Sequence, residues 1–528
     1  MPSNLIDWQS LDLKEQIAQM IVVRASGYLL DSQIRYPAWE AKNAQLKVWL
    51  EEFNLGGVIL LGGSSIELQR RSQQLQSWAK IPLFMAADIE EGIGQRFPGG
   101  TWFPPLMALG AIYDRDRDLA RQYALKMGEV TAREASAVGI NWMLTPVVDV
   151  NNNPHNPVIN IRAFSDRPKV VGDLATAFIQ GAKSSSVLTT AKHFPGHGDT
   201  ATDSHLELPT LPHSIERLTD VELPPFVSAI AAGVDSVMTA HLSIPAWDDK
   251  PATLSYKIIT EQLRQQLKFT GLVVTDALIM GGITKYASPQ EVAVLAVEAG
   301  NDVLLMPDNP EVAIASIYDA VQSGRISKER IHKSLARIWQ AKTRIDSKTS
   351  TEIDPDASSL VDSILQDSTS SSQSLFINSK RDSRNAIVVD DVLNTPYLDI
   401  NSPAIAIPQK LNYQRQIVDS NTLDCILLDS RPTLLQVFIR GNPFRGNAGL
   451  GANTKQIYQR LLNNKQVEAV AIYGSPYVLQ WFKTIMPDNL PWVFSYGQME
   501  QAQAIALTTL LKIDSDVARS QAVGNFGF

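Results

Sequence analysis

Eight short apolar runs, separated by longer stretches of helical periodicity, fill the first 345 residues and constrain the fold more than any other feature. The runs are MIVVRA (20–25), GGVILL (56–61), PLFMAAD (82–88), INWMLTPVVDV (140–150), VLTTAKHF (187–194), SVMTAHL (236–242), GLVVTDAL (271–278) and DVLLMP (302–307). Between them lie segments such as DLARQYALKMGEVTAREASAVG and IERLTDVELPPFVSAIAAG, with apolar residues three and four apart. Strand-length runs alternating with amphipathic helices predict a parallel sheet with helical crossovers. Eight of them predict a (β/α)8 TIM-type barrel over 1–345. A doubly wound open sheet is the alternative. It normally carries a glycine-rich phosphate loop after its first strand, and none follows MIVVRA.

Residues 346–384 are rich in Ser, Thr and Asp and read as a partly helical linker. Within it ASSLVDSILQ suits a helix, which the serine run of DSTSSSQS is expected to continue against the barrel. From 385 to 528 a second α/β pattern, with AIVVDD, CILLDS, LQVFIRG, VEAVAIYG and WVFSYG as strands, predicts a smaller αβα sandwich domain without a catalytic motif.

Composition narrows the function classes. The chain has 47 Lys+Arg against 55 Asp+Glu, a net charge of −8, and no basic cluster, so neither nucleic acid nor an anionic membrane is an expected partner. The single cysteine, Cys425, has no disulfide partner within the chain and sits in the apolar CILL, where a small core residue is expected. The N-terminus lacks a basic segment followed by an apolar one, and no apolar stretch of about 18 residues occurs. A cytoplasmic protein is the expectation.

Several predicted strands end in a reactive side chain: Asp88, Asp149, Lys192 with His193, His241 and Asp276. Any one of these can be a helix cap or a loop anchor. Five such positions on the C-terminal rim of a barrel, where active sites are built, argue for chemistry. The segment KHFPGHGDTATDSH (192–205) holds three of the seven histidines and ends in Asp203-Ser204-His205. Three explanations compete for it. His193, His197, Asp203, His205 and His241 are acceptable metal ligands, but Lys192 would set an ammonium beside the cation, and neither HxH nor HExxH spacing occurs. Buried structural histidines are the second explanation. The third is acid/base catalysis by an imidazole that a carboxylate orients, paired with the rim carboxylate Asp276. That pairing suits a retaining glycosidase, in which a carboxylate attacks the anomeric carbon and a second group protonates the leaving oxygen.

At these residues the sequence resembles glycoside hydrolase family 3, and within it the β-N-acetylglucosaminidase (NagZ-like) branch, over nearly the whole chain. KHFPGHGDTATDSH carries the resemblance, with LDLKEQIAQMIVV, DIEEGIGQRFPGG, NPVINIRAFSDRP and GLVVTDAL in the expected order. The resemblance implies that Asp276 is the nucleophile and the Asp203–His205 dyad the general acid/base. It implies that Asp88, Arg96, Arg162, Lys192 and His193 bind sugar hydroxyls; His241, on the same rim, is grouped with them. The expected activity is release of terminal non-reducing β-linked N-acetylglucosamine, from cell-wall (peptidoglycan) fragments taken into the cytoplasm, with no cofactor and no metal. A small carbohydrate is then the expected partner; the oligomeric state is open. A β-glucosidase or a β-N-acetylglucosaminide phosphorylase of the same family is the alternative, and a metal-dependent hydrolase or a non-catalytic sugar-binding protein the alternative of another class. The sequence departs from the family at DIEEGIGQRF, where one glycine and one arginine of the usual string are replaced, at Asn160, where glycine is common, and at Ala277, where a second aspartate is usual. In relatives without the Asp-x-His loop a second-domain carboxylate supplies the acid/base, a role this loop makes unnecessary here.

Overall fold

The computed structural model describes residues 5–345, 357–375, 382–390, 392, 395–440 and 449–512. Eight parallel strands form the first part: β1 (Ile21–Ser26), β2 (Gly57–Leu61), β3 (Phe84–Ala87), β4 (Trp142–Met143), β5 (Thr190–Phe194), β6 (Ser236–Thr239), β7 (Leu272–Thr275) and β8 (Leu304–Leu305). Continuous ladders run β4-β3-β2-β1-β8 and β5-β6-β7. Parallel bridges Trp142↔Leu188 and Val274↔Val303 join the two ladders at both seams. The strands therefore close into a ring, and the predicted barrel is the fold of this part. Its interior is a packed core rather than a pore. Trp142 is fully buried, tilts against Phe84 at 5.0 Å between ring centroids, and donates its indole N–H to Thr190 and Ser236, both at 2.9 Å.

The crossover helices form where the sequence periodicity places them. Helix Arg117–Ala137 starts at Asp116, whose side chain accepts from Leu119 N, and buries Ala120, Ala124, Met127 and Val130. These apolar positions share a face because they recur at three- and four-residue spacing. Among the described residues no helix is long and apolar enough to cross a membrane.

The second sheet has six strands in the order β11-β10-β12-β13-β14-β9. Five are parallel: β10 (Ser383–Val389), β11 (Tyr413–Val418), β12 (Thr433–Ile439), β13 (Val467–Gly474) and β14 (Trp492–Ser495). Separate apolar clusters cover its two faces, one around Tyr458, Phe482 and Ile472, the other around Phe438, Tyr473 and Leu507. This is an αβα sandwich.

Three local expectations differ from the structure. The helix Ala357–Ser368 forms, but the serines do not continue it: β9 (Ser370–Ser371) pairs antiparallel with Val493 and Phe494 of β14. An open sheet edge offers unpaired backbone groups, and they take up a segment with little helix propensity. The remaining linker residues 346–356 and 376–381 lie outside the described residues. CILLDS is no strand: Leu423–Leu428 is a 3-10 helix whose three-residue repeat buries Leu423 and Ile426 and leaves Cys425 exposed, so the cysteine is not a core residue. The edge strand β11, YQRQIV, gave no signal because most of its side chains are polar and outside the core.

The barrel and the sandwich share apolar contacts. Val361, Ile364 and Leu365 of the helix Ala357–Ser368 join one barrel cluster together with Met499 and Ala502 of the second domain. Polar contacts add to these: Tyr123 Oη donates to Asp367 at 2.7 Å, and Asn151 Nδ2 to Tyr477 Oη at 2.8 Å.

Candidate active site

The C-terminal ends of β3, β5 and β7 carry the candidate side chains toward one rim. Asp88 follows β3 and Lys192 lies in β5, and the lysine Nζ is 2.7 Å from Asp88 Oδ1 and 2.6 Å from Glu90 Oε1. Arg162, in a short turn after β4, donates from Nε and Nη2 to the two Glu90 oxygens at 2.8 and 2.7 Å. Two carboxylates and two cations thus form one network. Burial pushes the Glu90 carboxyl up, but Arg162 and Lys192 outweigh it and hold the group well below the usual carboxylate range. Burial likewise opposes the charges of Lys192 and Arg162, and the neighbouring carboxylates raise both above their ordinary values. Glu90, Lys192 and Arg162 are therefore charged at neutral pH. Arg96 is exposed and donates from Nε to the backbone carbonyl of Asp88 at 3.2 Å.

His193 is oriented from behind. Its Nδ1 lies 2.8 Å from Oδ2 of the fully buried Asp149, whose Oδ1 also accepts from the backbone N–H groups of His193 and His197 at 3.1 and 2.7 Å. Burial raises the Asp149 carboxyl, and the two imidazoles and the His197 N–H bring it below its ordinary value. An ionised carboxylate only accepts, so Nδ1 of His193 carries its proton.

The loop after β5 is folded by its own middle histidine. His197 is buried, with Nδ1 2.8 Å from Thr200 Oγ1 and Nε2 2.9 Å from Ser204 Oγ. Burial lowers it to about 4, so it is a neutral clasp at physiological pH. Asn156 holds the same turn through the carbonyls of His197 and Gly198 at 2.8 and 3.0 Å. Gly198 is required here, because a Cβ would lie 1.8 Å from the Val150 carbonyl oxygen.

The loop tip docks on the segment that follows Asp276. Gly282 N donates to Ser204 O and Gly281 N to His205 O, both at 3.0 Å, and Lys285 Nζ reaches Leu206 O at 2.8 Å. This docking carries the dyad to β7. His205 Nδ1 is 2.8 Å from Asp203 Oδ1; Asp203 is buried, and the His205 side chain keeps 22% of its surface exposed. Asp276 is half-buried and accepts from Ala277 N at 2.8 Å. Burial raises its carboxyl, but the imidazoles of His193, His241 and His205 and the Ala277 N–H bring it below its ordinary value, so it is a carboxylate at neutral pH.

The structure therefore brings together Asp88, Arg96, Arg162, Lys192 and His193 on one side and Asp203, His205 and Asp276 on the other. His241 differs from the grouping made for it. Both of its ring nitrogens are engaged within the protein, Nδ1 with Thr253 Oγ1 at 2.8 Å and Nε2 with Ala277 O at 3.0 Å, and it is fully buried. Its contact with the Ala277 carbonyl makes it a support for the Asp276 segment rather than a sugar ligand. Among the described residues no group of three or more His, Cys, Asp and Glu is placed to hold a metal ion. His197 and His241 have both ring nitrogens engaged within the protein. The sequence reading does not single out Glu90, although it stands two residues after a strand-end aspartate, and it gives the rim residue Asp149 no role. Beside the cluster lies a cavity of about 840 Å3, lined by Arg96, Tyr28, Tyr36, Trp102 and Tyr397 among others.

Both parts of the chain are similar to known proteins. Residues 12–341 match the glycosyl hydrolase family 3 N terminal domain, and residues 376–512 the bacterial glycosyl hydrolase family 3 C-terminal domain. Beta-hexosaminidase A of Pseudoalteromonas piscicida is 35% identical over an alignment 333 positions long that covers 57% of this chain and 55% of that protein, so the match spans little more than half of the relative's length. A beta-hexosaminidase of Nitrosomonas eutropha is 34% identical over 294 residues, 54% of this chain and 84% of the relative. Among solved structures, the family 3 beta-N-acetylglucosaminidase of Paenibacillus sp. str. FPU-7 superposes with a TM-score of 0.79 at 28% identity, covering 95% of this chain and 97% of that one. Matches to both domain models, over 12–341 and 376–512, lead to one assignment: the chain belongs to glycosyl hydrolase family 3.

Proposed function

We propose that the protein is a retaining β-N-acetylhexosaminidase that releases terminal non-reducing β-linked N-acetylglucosamine through a covalent glycosyl-enzyme. The observation that carries this reading is the docking of the loop: the backbone bonds from Gly281 and Gly282 set the Asp203–His205 dyad against the segment of the ionised Asp276. A carboxylate nucleophile and a separate proton donor are the two groups that retention requires. The relatives named beta-hexosaminidase and the Paenibacillus beta-N-acetylglucosaminidase support the same sugar.

In the first step Asp276 attacks the anomeric carbon while the bond to the leaving oxygen breaks. With Nδ1–H given to Asp203, proton exchange falls to Nε2 of His205, which protonates the leaving oxygen. In the second step the neutral imidazole takes a proton from water, whose oxygen displaces Asp276 and restores the enzyme. The Asp88, Glu90, Arg162 and Lys192 network supplies fixed charges for the sugar hydroxyls; charge-assisted hydrogen bonds of this kind discriminate hydroxyl orientation. The neighbouring cavity offers aromatic faces to the remainder of a larger saccharide. A cell-wall fragment in the cytoplasm is the substrate this reading favours.

Phosphorolysis is a second reading favoured by one feature. Once it has given up its proton, His205 is neutral and does not repel an anion, unlike a glutamate acid/base, so phosphate can compete with water. Aryl β-glycosides of N-acetylglucosamine, glucose and galactose, assayed at neutral pH with and without chelator and with rising phosphate, test both readings. Chelator-insensitive cleavage of the N-acetylglucosaminide is expected. Preferential cleavage of the glucoside, or loss of activity with chelator, overturns the first reading; a sugar 1-phosphate product establishes the second.

A further inference from the structure

We infer that Arg440, supplied by the second domain, is a positioning residue for the sugar pocket, acting through Glu91. The inference rests on the glycosidase reading for the purpose of that pocket. The structure gives Glu91 a partner in the other domain. Arg440, directly after β12, donates from Nη2 to Glu91 Oε1 at 2.6 Å and from Nη1 to Oε2 at 3.3 Å. Glu91 is 1% exposed, and Trp102 Nε1 adds a third bond to Oε2 at 2.9 Å.

The Asp88–Gly92 turn is thereby gripped from two sides. Through Glu90 it is tied to Arg162 and Lys192 of the barrel; through Glu91 it is tied to the sandwich. Gly92 lets the chain turn directly after these anchors, at φ +85°, where its N–H reaches Ile89 O at 3.2 Å. Without Arg440, Glu91 is a buried carboxylate facing an indole N–H and no paired cation. An unpaired buried charge is expensive, so the turn shifts to bring it to water. Asp88 and Glu90 stand three residues and one residue before Glu91 and shift with it. The second domain thus sets the affinity of the barrel for its sugar.

The test uses the full chain. Arg440→Met is expected to raise KM for an aryl β-N-acetylglucosaminide about tenfold while kcat changes less than about threefold, because a displaced hydroxyl-binding turn weakens sugar binding more than the chemical step. Arg440→Lys should recover part of the loss. Glu91→Gln should shift KM in the same direction, and the double variant should be no worse than Arg440→Met, since the two side chains act as one pair. Tyr123→Phe, which removes the hydroxyl that contacts Asp367 of the helix Ala357–Ser368, is the control for a lost contact between the barrel and the linker helix and should leave KM unchanged. Hydrogen exchange of residues 88–96 without substrate gives a readout that does not depend on activity; faster exchange in Arg440→Met is expected. An unchanged KM with unchanged exchange in that segment, or strictly additive losses in the double variant, overturns the inference. A wild type that cleaves no N-acetylglucosaminide overturns the activity reading instead, and the exchange comparison then decides Arg440 alone.

Discussion

Replacing Asp203 with Asn isolates the charge behind His205. The amide oxygen of Asn accepts the same two bonds that Asp203 Oδ1 accepts now, from His205 N at 2.9 Å and from Nδ1 at 2.8 Å, so the ring is expected to stay in place. What disappears is the negative charge that stabilises the protonated imidazole at a site where Asp203 is wholly buried. A hydrogen bond to a charged group contributes about 1.5–3 kcal/mol against about 0.5–1.5 for a neutral one, a difference of about 1–2 kcal/mol. At about 1.4 kcal/mol per factor of ten, the step that draws on the proton should slow about 5- to 30-fold. Glycosylation of a phenolic leaving group needs little proton donation and should lose less than about twofold in kcat/KM, whereas an alkyl or sugar leaving group should show the full loss. The assay is kcat/KM for one aryl and one disaccharide substrate in both enzymes. Equal losses for the two leaving groups would refute the argument that the dyad is the acid.

Asp276→Ala should lower kcat about a thousandfold or more with sugar binding largely kept, and a 5-fluoro glycosyl inhibitor should label the peptide containing residues 271–278; a label elsewhere removes Asp276 from the nucleophile role. Glu90→Gln keeps the shape that Arg162 and Lys192 grip but leaves them one negative charge short, so KM should rise at least about tenfold, measured alongside thermal stability to separate binding from folding. Lys342 is 1% exposed at the foot of the barrel, bonded to Gln19 Oε1 and Gly56 O, and burial lowers it from 10.5 to about 7. The folded chain therefore holds fewer protons than the unfolded chain between these values: stability should rise with pH from about 7 toward 10.5, and the penalty, at most roughly 5 kcal/mol, is full below 7. Lys342→Met should raise Tm at pH 6 and flatten the rise seen between pH 7 and 10; an unchanged pH profile would show that the ammonium is solvated in the folded state.

The alternation of β-branched runs and amphipathic stretches was enough to predict the barrel, because strand and helix periods are local properties of the chain. The sandwich was legible for the same reason in β10, β12, β13 and β14, each of which is apolar enough to be buried within its sheet. Where burial depends on a neighbour, the sequence misled. Cys425 lies in an apolar tetrad, yet a three-residue helical repeat turns it outward, and β11 is a strand only because β10 offers it a ladder.

The site divides along the same line. The sequence by itself determined which chemistry was available: strand-end Asp88, Lys192 and Asp276, and an Asp-x-His loop whose glycines let it fold over, are all readable because rim position follows from strand position. Tertiary structure decided which of these groups meet and which are already occupied. His197 and His241 look like His205 in the sequence, but their nitrogens are consumed by Thr200, Ser204, Thr253 and the Ala277 carbonyl. Glu90 stands beside Glu91 in the chain, yet one faces the barrel cations and the other Arg440, 349 residues away. Hydrogen bonds and ion pairs act over a few ångströms of space whatever the separation in sequence, so the roles of these residues were fixed only when the fold placed their partners.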